Sequence, residues 1–371
     1  MKKSGQGPSL YYATDKNVFE ALNQHKVDAP TVMKLFQRRN IIISKKTPRE
    51  ELAKYFARMT HDYYDHKDIA SRLGVAPRRE RITSMDVIGI GEIEELKAAV
   101  EQMKNELESA GDVVQTSRDG DNLTMHIQYS TVDYKRSEFS QVQVRDGTVE
   151  FIKSTSGYIV RNTQNEYIDD VRESLFGKIE SASIGPLTKV AVSLFDIPSA
   201  KLRSKFFHEL VNNLPQYTRC DVTDVYVFKA KPEAVDDESD DELDDLSSSD
   251  PDTHIERVFL RGNGVTRSEL LNELLDKEDY YITKIGWTAT KSMGNGNVFD
   301  IEAVFSKPKD CTGFSFILSG VFPYEDGKIS LRRRAPSKSE IEAISLVVES
   351  KARELVSVLR EEYSRLSLGG V

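Results

Sequence analysis

Cysteine is scarce in this sequence. Cys220 and Cys311 are the only two and stand far apart, which supports neither a disulfide framework nor a cysteine-ligated zinc site. No run approaches the length of apolar chain that spans a bilayer, and the lysines after Met1 are not followed by an apolar segment. Neither a transmembrane helix nor a signal peptide is expected, and the expected location is the cytoplasm, or a nucleoid or nucleus where the source has one. The GxGxxG and Walker A patterns that cradle phosphates are missing, as is the GxSxG elbow of serine hydrolases. No cofactor is therefore expected, and the two cysteines have no neighbours that would activate a thiol.

The 371 residues that remain to be explained are 39% hydrophobic and 30% charged, the profile of a globular chain long enough for two or three domains. Charge is distributed unevenly. Residues 1–81 carry a surplus of eight positive charges, whereas eleven acids and no Lys or Arg lie between Glu233 and Asp252. A chain polarised in this way can meet a polyanion at its basic end despite an overall charge of -9. The acidic run reads as a solvating spacer, or as a polyanion mimic docking on the basic end; Ser247 to Ser249 offer sites where phosphate would deepen its charge.

Periodicity divides the chain. Residues 1–17 form a flexible arm, and 18–81 a basic helical domain with its linker. Within it Thr31 is expected to cap one helix, Arg49 to open a second, and a third to run from Tyr63 to Leu73. A second domain, 82–184, begins with a strand at Met85–Ile90 and a helix from Glu92 to Leu107, whose apolar residues recur at steps of three and four. It continues in period two: Leu123, Met125, Ile127 and Tyr129 alternate with polar residues. Arg145-Asp146-Gly147 reads as the turn of a hairpin, since Asp-Gly accepts the positive φ such turns need. The third domain, 185–371, reads as strand, helix, strand twice over, with Val190–Ile197 as its first strand and a helix from Thr266. That order predicts a ferredoxin-like βαβ-βαβ unit with the acidic insertion 233–252 between its halves, extra strands, and a C-terminal helix over 338–366 opened by the capping box Ser337 and Glu340. The fold class is α+β.

The residues Leu35-Phe36-Gln37-Arg38-Arg39-Asn40, the loop Ile41 to Ile43, and Glu50-Glu51-Leu52 opening the next helix resemble the SAP, or helix-extended-loop-helix, module of DNA-binding proteins. The resemblance covers residues 30–59. It implies that basic residues near the loop and the second helix N-terminus contact backbone phosphates, here Arg38, Arg39, Lys45, Lys46 and Arg49. The chemistry is sound independently of it, because a helix N-terminus with Lys or Arg beside it favours an anion and releases counterions from a nucleic acid. Arg78, Arg79 and Arg81 in the linker extend the basic set, and Arg332 to Arg334 could form a second contact.

Other groupings offer less. His61-Asp62-Tyr63-Tyr64-Asp65-His66 places His61 with Asp65, and Asp62 with His66, four apart on a helix, but its two histidines diverge, so no metal site is expected. Gly262-Asn263-Gly264, before the helix at Thr266 and flanked by Arg261 and Arg267, could seat an anion. Asp300 and Glu302 share one face of a strand and are the weak catalytic candidates for metal-dependent phosphodiester cleavage. The sequence therefore points to a non-catalytic protein that binds DNA or RNA through its N-terminal domain. Its β-containing domains or C-terminal helix would meet a protein partner or another copy, and no membrane is involved. The alternatives are a metal-dependent nuclease and an adaptor without nucleic-acid contact.

Overall fold

A computed structural model describes residues 13–73, 80–133, 135, 138–182, 185–229, 257–262, 265, 269–276, 279–293 and 296–368. Arg78, Arg79, Asn263, Gly264, Thr266, Arg267 and the acidic insertion 233–252 lie outside the described residues. Two compact units replace the three consecutive domains read from the sequence. One comprises residues 1–78, 90–151 and 170–185, the other 79–89, 152–169 and 186–371. No helix among the described residues is long and apolar enough to cross a membrane.

The first unit opens with four helices, α1 (Asp15–Asn23), α2 (Ala29–Gln37), α3 (Arg49–Ala57) and α4 (Tyr63–Leu73). Each is too short to be stable alone and is held by its buried stripe. Val18 and Leu22 of α1, Leu35 and Phe36 of α2, Phe56 of α3 and Ile69 of α4 meet in one core with Phe139, which is brought in by a short 3-10 turn at Glu138–Ser140. The α2 cap is Asp28, not Thr31: its carboxylate accepts from the Thr31 backbone at 3.0 Å, and Pro30 occupies a position where no donor is needed.

Residues 82–88 belong to the second unit as β1 (Ile82–Ile88); the first unit resumes with α5 (Ile93–Ser109). Three antiparallel strands follow, β2 (Val113–Asp119), β3 (Asn122–Val132) and β4 (Val142–Ser154). Gly120 takes a positive φ of 59° in the two-residue turn between β2 and β3. The alternation of Leu123, Met125, Ile127 and Tyr129 is real, and all four are buried. The hairpin at Asp146-Gly147 is not. Both residues lie inside β4, opposite Gln128 and Ile127, and the Gln128 amide donates to the Asp146 carboxylate at 3.1 Å. The ten pairs along β3 and β4 override the local preference of Asp-Gly for a turn.

The second unit is a large antiparallel sheet with helices. Its strands are β1, β5 (Gly157–Thr163), β6 (Thr188–Ala191), β7 (Tyr217–Lys229), β8 (Arg257–Arg261), β9 (Tyr280–Lys291), β10 (Val298–Lys307) and β11 (Thr312–Phe322). Their order is β5-β1-β11-β10-β9-β7-β8, with β6 beside β1, and a two-stranded ribbon of β12 (Tyr324–Glu325) and β13 (Lys328–Ile329) follows. The helices are α6 (Glu166–Ala182), which begins in this unit and ends in the first, α7 (Ala200–Asn212), α8 (Glu269–Asp276) and α9 (Lys338–Leu368). The α+β class holds, but the ferredoxin-like plan does not: β6 ends at Ala191 and pairs with β1, while β7 pairs antiparallel with both β8 and β9. Only β8, α8 and β9 keep the split arrangement, with β7 between the two strands. Alternation specifies which face of a strand is buried, and it leaves the neighbours open.

The core of this unit gathers Trp287, Phe206, Phe207, Phe305 and Phe316 with Ile344, Val348, Ala352 and Leu359 of α9, so the C-terminal helix is a core element. Its capping box forms, with the Ser337 backbone donating to Glu340 at 2.8 Å and the Glu340 backbone to Ser337 at 3.3 Å.

Candidate nucleic-acid interface

The α2–α3 connection is shaped residue by residue. Asn40 takes a positive φ of 56°, which lets the Ile41 backbone donate back to the Phe36 carbonyl at 3.1 Å and the Asn40 backbone to Gln37 at 2.9 Å, ending α2 in a Schellman motif. Ile41 and Ile43 then turn toward the helical core while Ile42, between them, is 96% exposed. A tight turn follows, closed by the Thr47 backbone donating to the Ser44 carbonyl at 3.1 Å. Lys45 and Lys46 occupy its tip, both exposed and without an ion-pair partner among the described residues. Pro48 is the residue before α3 and supplies no side-chain cap, so the first backbone donors of α3, next in the chain after the turn, have none.

The arginines of the expected set do other work. Arg38 pairs with Asp68 at 2.8 Å, joining α2 to α4. Arg39 reaches Asp65 at 2.6 Å, donates to the Thr60 carbonyl, and lies 4.4 Å from the centre of the Phe56 ring. Arg49 donates to the carbonyls of Leu22 and Gln24 at 2.6 and 2.7 Å and to that of Val27. Arg39 and Arg49 therefore brace the bundle, and of the five residues carried over from the resemblance only Lys45 and Lys46 stay unengaged. Arg81 lies in the second unit, bound to Glu302.

Two open hollows flank this region. One, of about 700 Å³, is lined by Arg38, Arg39, His61, Tyr64 and the carboxylates of Asp62 and Asp65. The other, of about 680 Å³, lies beside the lysine turn and is walled by Pro30, Met33, Gln37, Ser44, Lys45 and Leu52. Sequence reasoning missed this second hollow. Its only trace is the spacing of Ala29, Met33 and Gln37, which share one face of α2 away from the core residues.

The histidine-rich stretch is structural. Asp62 accepts from the Asp65 backbone at 2.8 Å, as an N-terminal cap does, and Asp65 is taken by Arg39. His66 is stacked on Phe139 with ring centres 5.5 Å apart. Burial pushes the His61 and His66 imidazoles below their ordinary range. Among the described residues, no group of three or more His, Cys, Asp or Glu is arranged to hold a metal ion.

In the second unit Asp300 and Glu302 do share the face opposite the buried Phe299 and Ile301. Each carboxylate already has a cation: Arg333 lies 2.6 Å from Asp300, and Lys284 2.6 Å from Glu302, which also binds Arg81. Lys284 lies on the neighbouring strand β9, so no sequence spacing announces it. Asp224 of β7 stands on the other side of Lys284 at 3.6 Å. Burial raises the Asp300 carboxyl, against the pull of Arg333. Burial also pushes up on Glu302, but its hydrogen bonds to Lys284 and Arg81 win and hold it below the carboxylate range. Of the arginine triplet, Arg333 is bound to Asp300 and Arg334 to Glu340 at 2.6 Å, which leaves Arg332. Burial pushes the Cys311 thiol up to about 11 and also raises that of Cys220, so neither is primed as a nucleophile.

No protein-family model matches this chain, and no curated protein matches its sequence.

Proposed function

We propose that this chain is a non-catalytic nucleic-acid-binding protein that contacts the phosphate backbone through the turn between α2 and α3, while its second unit meets a protein partner or another copy. The observation that carries this reading is the Lys45-Lys46 turn, presented beside a helix start with no side-chain cap and braced from behind by Arg39 and Arg49. Two unpaired ammonium groups next to open backbone donors form a site for phosphate. Metal-dependent cleavage at Asp300 and Glu302 has less support, because both carboxylates are matched by cations that a metal would have to displace.

Fluorescence anisotropy of labelled DNA and RNA across a salt series tests the reading. The full chain should bind at low salt, and the double variant Lys45→Ala, Lys46→Ala should bind more weakly, with a salt slope shallower by about two. Binding unaffected by the double variant would move the interface elsewhere. Breakdown of the same strands in Mg²⁺ or Mn²⁺, abolished by Glu302→Gln, would favour the enzyme.

A further inference from the structure

The hollow beside the lysine turn differs from its neighbour in charge. The α3–α4 hollow contains Asp62 and Asp65, whereas the lining of the second includes Lys45 and Arg49 and no carboxylate. Its lining combines apolar Pro30, Met33 and Leu52 with polar Gln37, Ser44 and Thr47. Arg49, which forms part of it, is held in place by three carbonyls. A ligand suited to it pairs an anionic group, held at the turn, with a flat group that has an apolar face and a hydrogen-bonding edge. Met33 is an adaptable wall for such a group, because a thioether packs favourably against an aromatic face.

We infer that this hollow receives an unstacked nucleobase whose flanking phosphate lies on Lys45 and Lys46, so that the nucleic acid taken here is single-stranded. The inference rests on the nucleic-acid reading above and adds the class of strand. In a duplex the bases are stacked and paired, and entry would require one to be pulled out at an energetic cost. In a single strand each base offers its face freely, and binding of this kind tolerates any sequence.

Three labelled probes in one buffer decide it: a short single strand, the same strand with abasic sugars in place of its nucleosides, and the duplex of the same sequence. The abasic strand keeps every phosphate. The full chain should bind the intact strand severalfold tighter than the abasic strand or the duplex. Met33→Trp, which fills the hollow, should erase that preference and leave the salt-dependent binding in place. Equal affinity for intact and abasic strands, or preference for the duplex, would overturn the inference while leaving the backbone reading intact. Absence of binding to all three at low salt would overturn the backbone reading itself. Should Met33→Trp disturb the helices by circular dichroism, the abasic comparison on the unaltered chain still decides.

Discussion

Arg49 donates to three main-chain carbonyls and Arg39 answers a carboxylate that is nearly buried, so both are expected to fail in stability before they fail in binding. Arg49→Ala strands those acceptors and should cost about 2–3 kcal/mol, read as faster hydrogen exchange across residues 13–73. Lys45→Ala should leave exchange unchanged and weaken only the association with nucleic acid. Glu51, in the first turn of α3 and exposed, opposes a phosphate at the same helix start; Glu51→Gln should tighten binding at low salt and lose its advantage at high salt. The sequence pattern puts five cations on one footing, and the structure divides them, with Lys45 and Lys46 exposed and Arg38, Arg39 and Arg49 engaged. Every Lys and Arg there looks alike in one dimension, and the partners that remove Arg39 and Arg49 from the surface lie more than twenty residues away.

Short elements in this chain answer to their neighbours more than to their own preferences. Gly147 lies within β4, opposite Ile127, and has no positive φ. Gly147→Ala is therefore expected to keep the strand pairing, whereas a true hairpin turn with a positive φ would be broken by it. Gly157 is the opposite case, since a Cβ there would run into the Val87 carbonyl, and Gly157→Ala should destabilise the second unit. Histidine burial gives the α4 region a pH dependence. His66 has its imidazole lowered by burial, so protonation favours the unfolded chain; stability is complete above about 6.5, the ordinary histidine value, and falls as the pH falls below it. His66→Phe, which keeps the stack on Phe139, should flatten that fall in a urea titration monitored by circular dichroism.

Across the whole chain, residues far apart in sequence complete each unit. Phe139 fills the helical core from a turn between β3 and β4, and Phe139→Ala should cost about 3–4 kcal/mol and open helices that lie far before it in the sequence. In the second unit Glu349 of α9, 1% exposed, forms a two-pronged ion pair with Arg161 of β5 at 2.7 and 2.8 Å. Glu349→Ala removes both of these bonds from a buried guanidinium and should cost about 3 kcal/mol, visible in the fluorescence of Trp287, the chain's one tryptophan. Local pattern alone determined the α+β class, α4 at its observed limits, the face buried on β3, the box that starts α9, and the basic character of the α2–α3 turn. Those features depend on neighbours within a few residues. Strand order, the loss of the ferredoxin-like plan, the grouping into two units, and the division of cations into braces and free lysines depend on which distant segments meet. Alternation and charge carry no record of that, because a strand buries the same face beside any partner and an arginine is equally basic until a carboxylate reaches it.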